Sequence, residues 1–271
     1  MTFLQKYQIT SRYLPSPSKR RSGYAMSPGV RFIVAHDTGN PNSTATQNVH
    51  YYTNSANSES ASAHLFVDDK EIIECIPALT NSPEKAWHVL YNLPTDNQLF
   101  GFNANDAAIG IEYCYGNNIN ADEAYRKYIW LIAYACNQFK LDPVKSIVGH
   151  FMLDPHRKSD PTTGLAHSRR TYEQLLRDIV LEYKECNGEN LPLIQQKWDE
   201  VLRSGQVTSV TRLNIRKGAP STRAEVYQTI SAGTELMYVS IIRNGESING
   251  NSVWYKDING NYFWSGGTNI A

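Results

Sequence analysis

At 271 residues the chain has room for one large domain and a smaller one. Lys plus Arg and Asp plus Glu both number 26, so with neutral histidine the net charge is zero and no chain-wide basic field favours nucleic acid. The one basic triplet, Lys19-Arg20-Arg21, reads as a solvated turn. No apolar stretch of about 7–15 residues follows the basic N-terminus, and none approaches the roughly 18 of a membrane span. The expectation is synthesis in the cytoplasm without a signal peptide, and no membrane contact. Cys75, Cys114, Cys136 and Cys186 show no C-x-x-C spacing, which argues for free thiols over a zinc ribbon or a disulfide framework.

In chain order, Arg31 to Thr38 reads as a strand that stops at the turn Gly39-Asn-Pro41. Thr44 with Gln47 has capping-box spacing, and Val49 and Tyr52 give an apolar side, so a short helix is expected over 44–53. Residues 63–68 and 71–76 are two β-rich runs separated by Asp69-Lys70, a hairpin signal. Residues 109–115, "IGIEYCY", form an apolar run of strand length with one carboxylate, Glu112, in its middle. Runs of this composition mark strands buried on both faces. A carboxylate there is costly unless paired; the alternative is a half-open strand on which Glu112 meets solvent or a surface lysine.

A second capping box, Asn120 with Glu123, opens a helix whose Ala124, Tyr128, Leu131, Ile132, Ala135 and Phe139 share a face. Residues 145–150 read as a short strand, and Ser168 as the N-cap of a helix carrying Tyr172, Leu175, Leu176, Ile179 and Tyr183. Strands alternating with helices predict an α/β domain over 1–186, a mixed central β-sheet flanked by helices. Residues 187–206 read as a linker with a short amphipathic helix carrying Trp198, Val201 and Leu202. From 207 to 271 the texture is all-β, with turns at Gly218, Asn244-Gly, Asn249-Gly and Asn259-Gly, which predicts a small barrel domain.

Chemistry concentrates at two strand ends. His36 closes the first strand, and "GHFMLDPHRKSDP" (149–161) places His150, His156, Lys158 and Asp160 in one polar loop. Three His or carboxylate groups from separate strand ends would make a zinc site with a position left open for water. Taken singly, each histidine is as well explained by an ordinary hydrogen bond, and spacing alone does not select a trio.

"FIVAHDTGN", "SASAHLFVDDKEIIECIP", "AWH", "AIGIEYCYG" and "GHFMLDPHRKSDP", in that order, closely resemble the zinc-dependent N-acetylmuramoyl-L-alanine amidases of the type 2 family. Their fold is shared with phage lysozyme-like amidases and peptidoglycan recognition proteins. The likeness spans about residues 28–186. It implies zinc held by His36, His150 and Asp160, Glu112 as the catalytic carboxylate that exchanges a proton, and Lys158 beside the scissile carbonyl. Some members use a cysteine as third ligand; the loop here has none, Asp160 takes that place, and His156 is the rival. Cys114 reads as a packed thiol bordering the site. The resemblance places His64 and His88 near the substrate groove, as cleft lining or hydrogen-bonding groups, and Trp87 as sugar platform or core.

The segment from "VTRLNIRKGAPST" to "VWYKDINGNYFWSGG" resembles bacterial Src-homology-3-like cell-wall-binding domains. Trp254, Tyr255, Tyr262 and Trp264 would line a peptide groove or fill the core of so small a domain. Together the two resemblances imply a peptidoglycan hydrolase cutting between N-acetylmuramic acid and L-alanine, an endolysin or autolysin that reaches the wall after release. The rivals are a recognition protein that binds without cleaving and a zinc endopeptidase acting within the stem peptide.

Overall fold

Thr44 caps the first long helix, accepting the Gln47 backbone N–H while the Gln47 side chain takes the Thr44 N–H. This capping box fixes the start of α1 (Ala45–Asn54) where the spacing predicts it. In the computed structural model, which describes residues 2–189 and 198–269, the chain divides into two compact units, one within residues 1–190 and one within 191–271.

The first unit is built on a six-stranded mixed sheet, with β1 (Ile9–Ser11), β2 (Phe32–Asp37), β3 (Leu65–Val67), β4 (Ile72–Glu74), β5 (Ala108–Tyr113) and β6 (Ile147–Gly149). The strand order is β1-β4-β3-β5-β2-β6. Strands β3, β5, β2 and β6 run parallel; β4 forms the expected antiparallel hairpin with β3, and β1 lies parallel to β4. The helices after α1 are α2 (Thr95–Phe100), α3 (Ala104–Ala107), α4 (Ala121–Gln138), α5 (His150–Leu153), α6 (Thr162–His167) and α7 (Tyr172–Cys186).

Alternation along β2 divides the core. Ile33 and Ala35 join the large cluster that holds Tyr128, Leu131, Ile132 and Ala135 of α4 and Leu175 and Ile179 of α7. Each of the leucines and isoleucines among them contributes about 1.5–3 kcal/mol by leaving water. Phe32 and Val34 face the opposite side, with Ala104, Ala107, Ala108, Val148 and Leu153. That second face is covered only by short helices, and the site develops there. All four cysteines are free and buried.

Three sequence expectations are corrected. Arg20 is not in a solvated turn: it is 1% exposed, donates to Ser55 Oγ, Ala61 O and Glu59, and stacks 4.2 Å over the Tyr52 ring. Its neighbour Arg21 forms a two-pronged pair with Glu84, so the basic triplet fastens the N-terminal segment to the domain. The N-cap of α7 is Thr171, which accepts from the Gln174 N–H, and not Ser168. Ser168 instead closes α6, its buried hydroxyl donating to backbone carbonyls and accepting from Tyr113.

The third correction concerns the short helix placed before the all-β region. Residues 200–208 are strand β7 (Glu200–Thr208), paired antiparallel with β10 (Glu235–Ile242); the preceding part, 190–197, lies outside the described residues. The remaining strands are β8 (Leu213–Arg216), β9 (Val226–Ile230), β11 (Trp254–Lys256) and β12 (Tyr262–Trp264). They give a six-stranded, wholly antiparallel sheet in the order β7-β10-β11-β12-β8-β9. Trp254, Tyr255 and Tyr262 are buried and serve the core of this unit, while Trp264 is half-buried against it.

Candidate metal centre

In a parallel sheet, groups at the carboxyl ends of adjacent strands converge on one crevice. His36 and Glu112 are direct register partners near the ends of β2 and β5, so their side chains leave the sheet on the same face. Gly149, the last residue of β6, pairs with Ala35, which brings His150 beside His36 one residue later. The two imidazole rings lie 4.6 Å apart between centroids, nearly perpendicular.

Asp160 arrives from the loop after α5. Its backbone carbonyl accepts the Phe151 N–H at 2.9 Å. Its Oδ2 lies 2.9 Å from His36 Nδ1 and 3.0 Å from His150 Nδ1. The three residues offer ligand atoms within 4.8 Å of one another, the one such group among the described residues. His156, the rival in the same loop, is exposed and outside this group.

Asp37 holds α6, which follows the Asp160 loop, against the strand. It is buried, and its carboxylate accepts the N–H of Gly39 at 3.0 Å and of Gly164 at 2.7 Å. A Cβ on Gly164 would meet Asp37 Cβ at 2.9 Å, so only glycine permits this approach. On the far side of the sheet, buried Tyr128 donates its hydroxyl to His36 O at 3.0 Å and fixes the end of β2. Neither residue was picked out in sequence as part of the site. Asp37 carried a signal, a carboxylate at a strand end two residues before a turn glycine; Tyr128 read only as helix core.

The electrostatics separate the two carboxyls. Burial pushes Asp160 up, but hydrogen bonds and charge from His150 and His36 outweigh it and hold the group far below the usual carboxylate range. Burial pushes Glu112 well above that range, helped by the negative charges of Asp160 and Asp37 and opposed by Lys158. Glu112 Oε2 is enclosed and has no hydrogen-bond partner. Paired carboxyls driven in opposite directions are the pattern expected of a fixed anion beside a proton carrier. Burial lowers His36 to about 4, so its ring is neutral at pH 7.

This donor set fits a divalent cation. Two imidazoles and one carboxylate, buried or nearly so and aimed at a common point, match a three-ligand zinc site with a position left open. Cys114 is not among them; it is fully buried, with Asn48 Nδ2 at 3.8 Å from its sulfur.

The two histidines expected near the site as cleft-lining or hydrogen-bonding groups are buried and hydrogen-bonded. His64 is 0% exposed; its Nδ1 accepts the Gly110 N–H and its Nε2 donates to Glu84 O, both at 3.0 Å. With both nitrogens on backbone groups and burial lowering its pKa to about 4, it is a neutral core residue. His88 is also buried, its ring nitrogens engaged by His36 and by two backbone carbonyls. Trp87 is half-buried, 6.0 Å from the half-exposed ring of Tyr91.

Residues 26–163, just over half of the chain, match the Amidase_2 family model, described as N-acetylmuramoyl-L-alanine amidase. The chain belongs to this amidase family. All of His36, Glu112, His150, Lys158 and Asp160 fall inside the matched segment. Among curated proteins, the N-acetylmuramoyl-L-alanine amidase BlyA of Bacillus subtilis is 31% identical over 169 residues, covering 60% of this chain and 44% of BlyA. The chain thus matches less than half the length of that amidase. Among solved structures, the catalytic domain of XlyA superposes with a TM-score of 0.51 at 25% identity, over 64% of this chain and 99% of that domain. The Staphylococcus aureus hydrolase AmiA, solved with its ligand, superposes with a TM-score of 0.56 at 22% identity, over 70% of this chain and 89% of AmiA. The likeness to AmiA is one of fold.

Proposed function

We propose that this chain is a zinc-dependent peptidoglycan amidase that cuts the bond between the lactyl group of N-acetylmuramic acid and L-alanine of the stem peptide. The observation that carries the reading is the convergence of His36, His150 and Asp160 beside Glu112, whose enclosed Oε2 lacks a partner. Family membership supplies the bond class.

His36, His150 and Asp160 would hold the zinc. When bound, zinc supplies Lewis-acid chemistry, polarising the amide carbonyl and making water acidic enough to lose a proton near neutral pH. Glu112, whose carboxyl burial raises well above the usual range, is the group that would take up that proton and deliver it to the departing amine of L-alanine. Lys158, whose charge reaches Glu112, His36 and Asp37, supplies fixed positive charge for the oxyanion that develops on the carbonyl. Asp37 and Tyr128 keep the strand end and the Asp160 loop in register. Trp87, with Tyr91 beside it, is the proposed contact for the sugar.

The C-terminal sheet is proposed to hold the enzyme on the wall. Its buried aromatics are structural, which leaves exposed groups such as Tyr227 on β9, 55% accessible, for contact with wall peptide.

Stripping the protein with a chelator should abolish release of amino groups from purified walls, and one equivalent of zinc should restore it. Release that is indifferent to chelation would remove the metal from this account.

A further inference from the structure

We propose that His88 is a positioning residue of the metal centre: it accepts the Nε2–H of His36 and so fixes the tautomer that presents His36 Nδ1 to the ion. The inference rests on the reading of His36 as a ligand, and adds a residue that touches neither ion nor substrate.

The argument runs along a chain of hydrogen bonds that starts at the backbone. His88 Nε2 lies 3.2 Å from Ala104 O and 3.2 Å from Ala108 O. Carbonyl oxygens only accept, so the His88 hydrogen is on Nε2, and the neutral ring has its lone pair on Nδ1. That Nδ1 is 3.0 Å from His36 Nε2. The hydrogen in this contact therefore belongs to His36. Its other nitrogen, Nδ1, is then the one left to face the ion, and it lies 2.9 Å from Asp160 Oδ2. Two backbone carbonyls, of Ala104 at the start of α3 and Ala108 just after it, thus dictate, through two rings, which nitrogen of a proposed ligand faces the ion. Ligating histidines are commonly held through their second nitrogen by a carboxylate or a carbonyl; here a second histidine relays the carbonyl.

His88 is itself held firmly. Asn105 Oδ1 accepts the N–H of His88 at 2.9 Å and of Val89 at 3.0 Å, and Asn105 Nδ2 donates to Val89 O at 2.9 Å. The ring lies over Gly110, where an added Cβ would come within 2.8 Å of His88 Cγ and Nδ1. Glycine in "IGIE" therefore makes room for the ring. The rings of His36 and His88 stand at 85° with centroids 5.2 Å apart, so the contact is an in-plane hydrogen bond and not stacking.

Two variants separate positioning from scaffolding. In His88→Asn the side-chain oxygen takes the place of Nδ1 and still accepts from His36, but the donor to Ala104 and Ala108 is lost. In His88→Gln the amide nitrogen takes the place of Nε2 and keeps that donor, while the acceptor for His36 is lost. Zinc affinity, measured by competition with a chelating dye, should fall about 10–100-fold in His88→Gln and stay within a few-fold of wild type in His88→Asn. A purely structural role predicts the reverse order, because the glutamine variant keeps the bonds that hold the loop.

Long-range 15N–1H spectra of the zinc-loaded wild type give an independent readout and do not depend on either variant folding. His36 should be protonated on Nε2 and not on Nδ1. A proton on Nδ1, or wild-type zinc affinity in folded His88→Gln, would overturn the proposal while leaving the amidase reading intact. A wild-type chain that binds no zinc would overturn the metal site itself, and the role of His88 with it.

Discussion

Replacing Glu112 by alanine should lower turnover by about 10²–10⁴-fold, the usual contribution of a positioned acid–base group, with zinc content unchanged. The residue lies beside the ligand cluster without belonging to it: His36, its register partner, contributes to the metal group and Glu112 does not. The same substitution should cost the fold little. Glu112 Oε2 is buried without a partner, so its removal relieves an unsatisfied polar atom. Full zinc, an unchanged melting temperature and lost turnover in one variant would isolate a chemical role from a structural one. Turnover at the wild-type level would remove Glu112 from the mechanism.

Replacing Asp160 by alanine should abolish both metal binding and activity. One oxygen, Oδ2, reaches both His36 Nδ1 and His150 Nδ1, so the carboxylate closes the cluster and supplies its only negative charge. Loss of an outer partner costs a metal site about 10–100-fold in affinity; loss of a ligand and its charge should exceed that. Metal analysis after dialysis against micromolar zinc reads the result directly. Retention of one full equivalent would mean that another group completes the site, and the exposed His156 would be the first to test.

What could be read in sequence was mostly local. The cap signals at Thr44 and Asn120 lie within four residues, a full capping box at the first and a side-chain cap at the second, and both helices begin where those residues place them. The apolar runs at 32–37 and 108–113 are strands buried along nearly their whole length because helices cover both faces of the sheet. The short helices α2, α3 and α5 escaped because four to six residues carry too little periodicity to register. Strand β7 escaped for a different reason. Its apolar Leu202 is 85% exposed, and the segment is held by pairing with β10, a contact no local pattern encodes.

The site follows the same division. Spacing marked the loop 149–161 as rich in chemistry but could not choose among its histidines. The pairing of β2 with β5 and β6 makes the choice, since it brings His36, Glu112 and His150 to one crevice. For His64 and His88 motif position left cleft lining and hydrogen bonding both open, because it says nothing of burial. Their nitrogens are taken by Gly110, Glu84, Ala104, Ala108 and His36, partners up to 52 residues away in the chain.

The most direct test of the central claim is mass spectrometry of the soluble products from purified peptidoglycan digested by the zinc-loaded chain. The account predicts stem peptides that begin with a free L-alanine amine, together with glycan strands whose lactyl groups are intact. Fragments cut within the stem peptide would make the chain an endopeptidase on the same metal site, and an intact wall that still carries the protein into the pellet would make it a binder; either result would contradict the account.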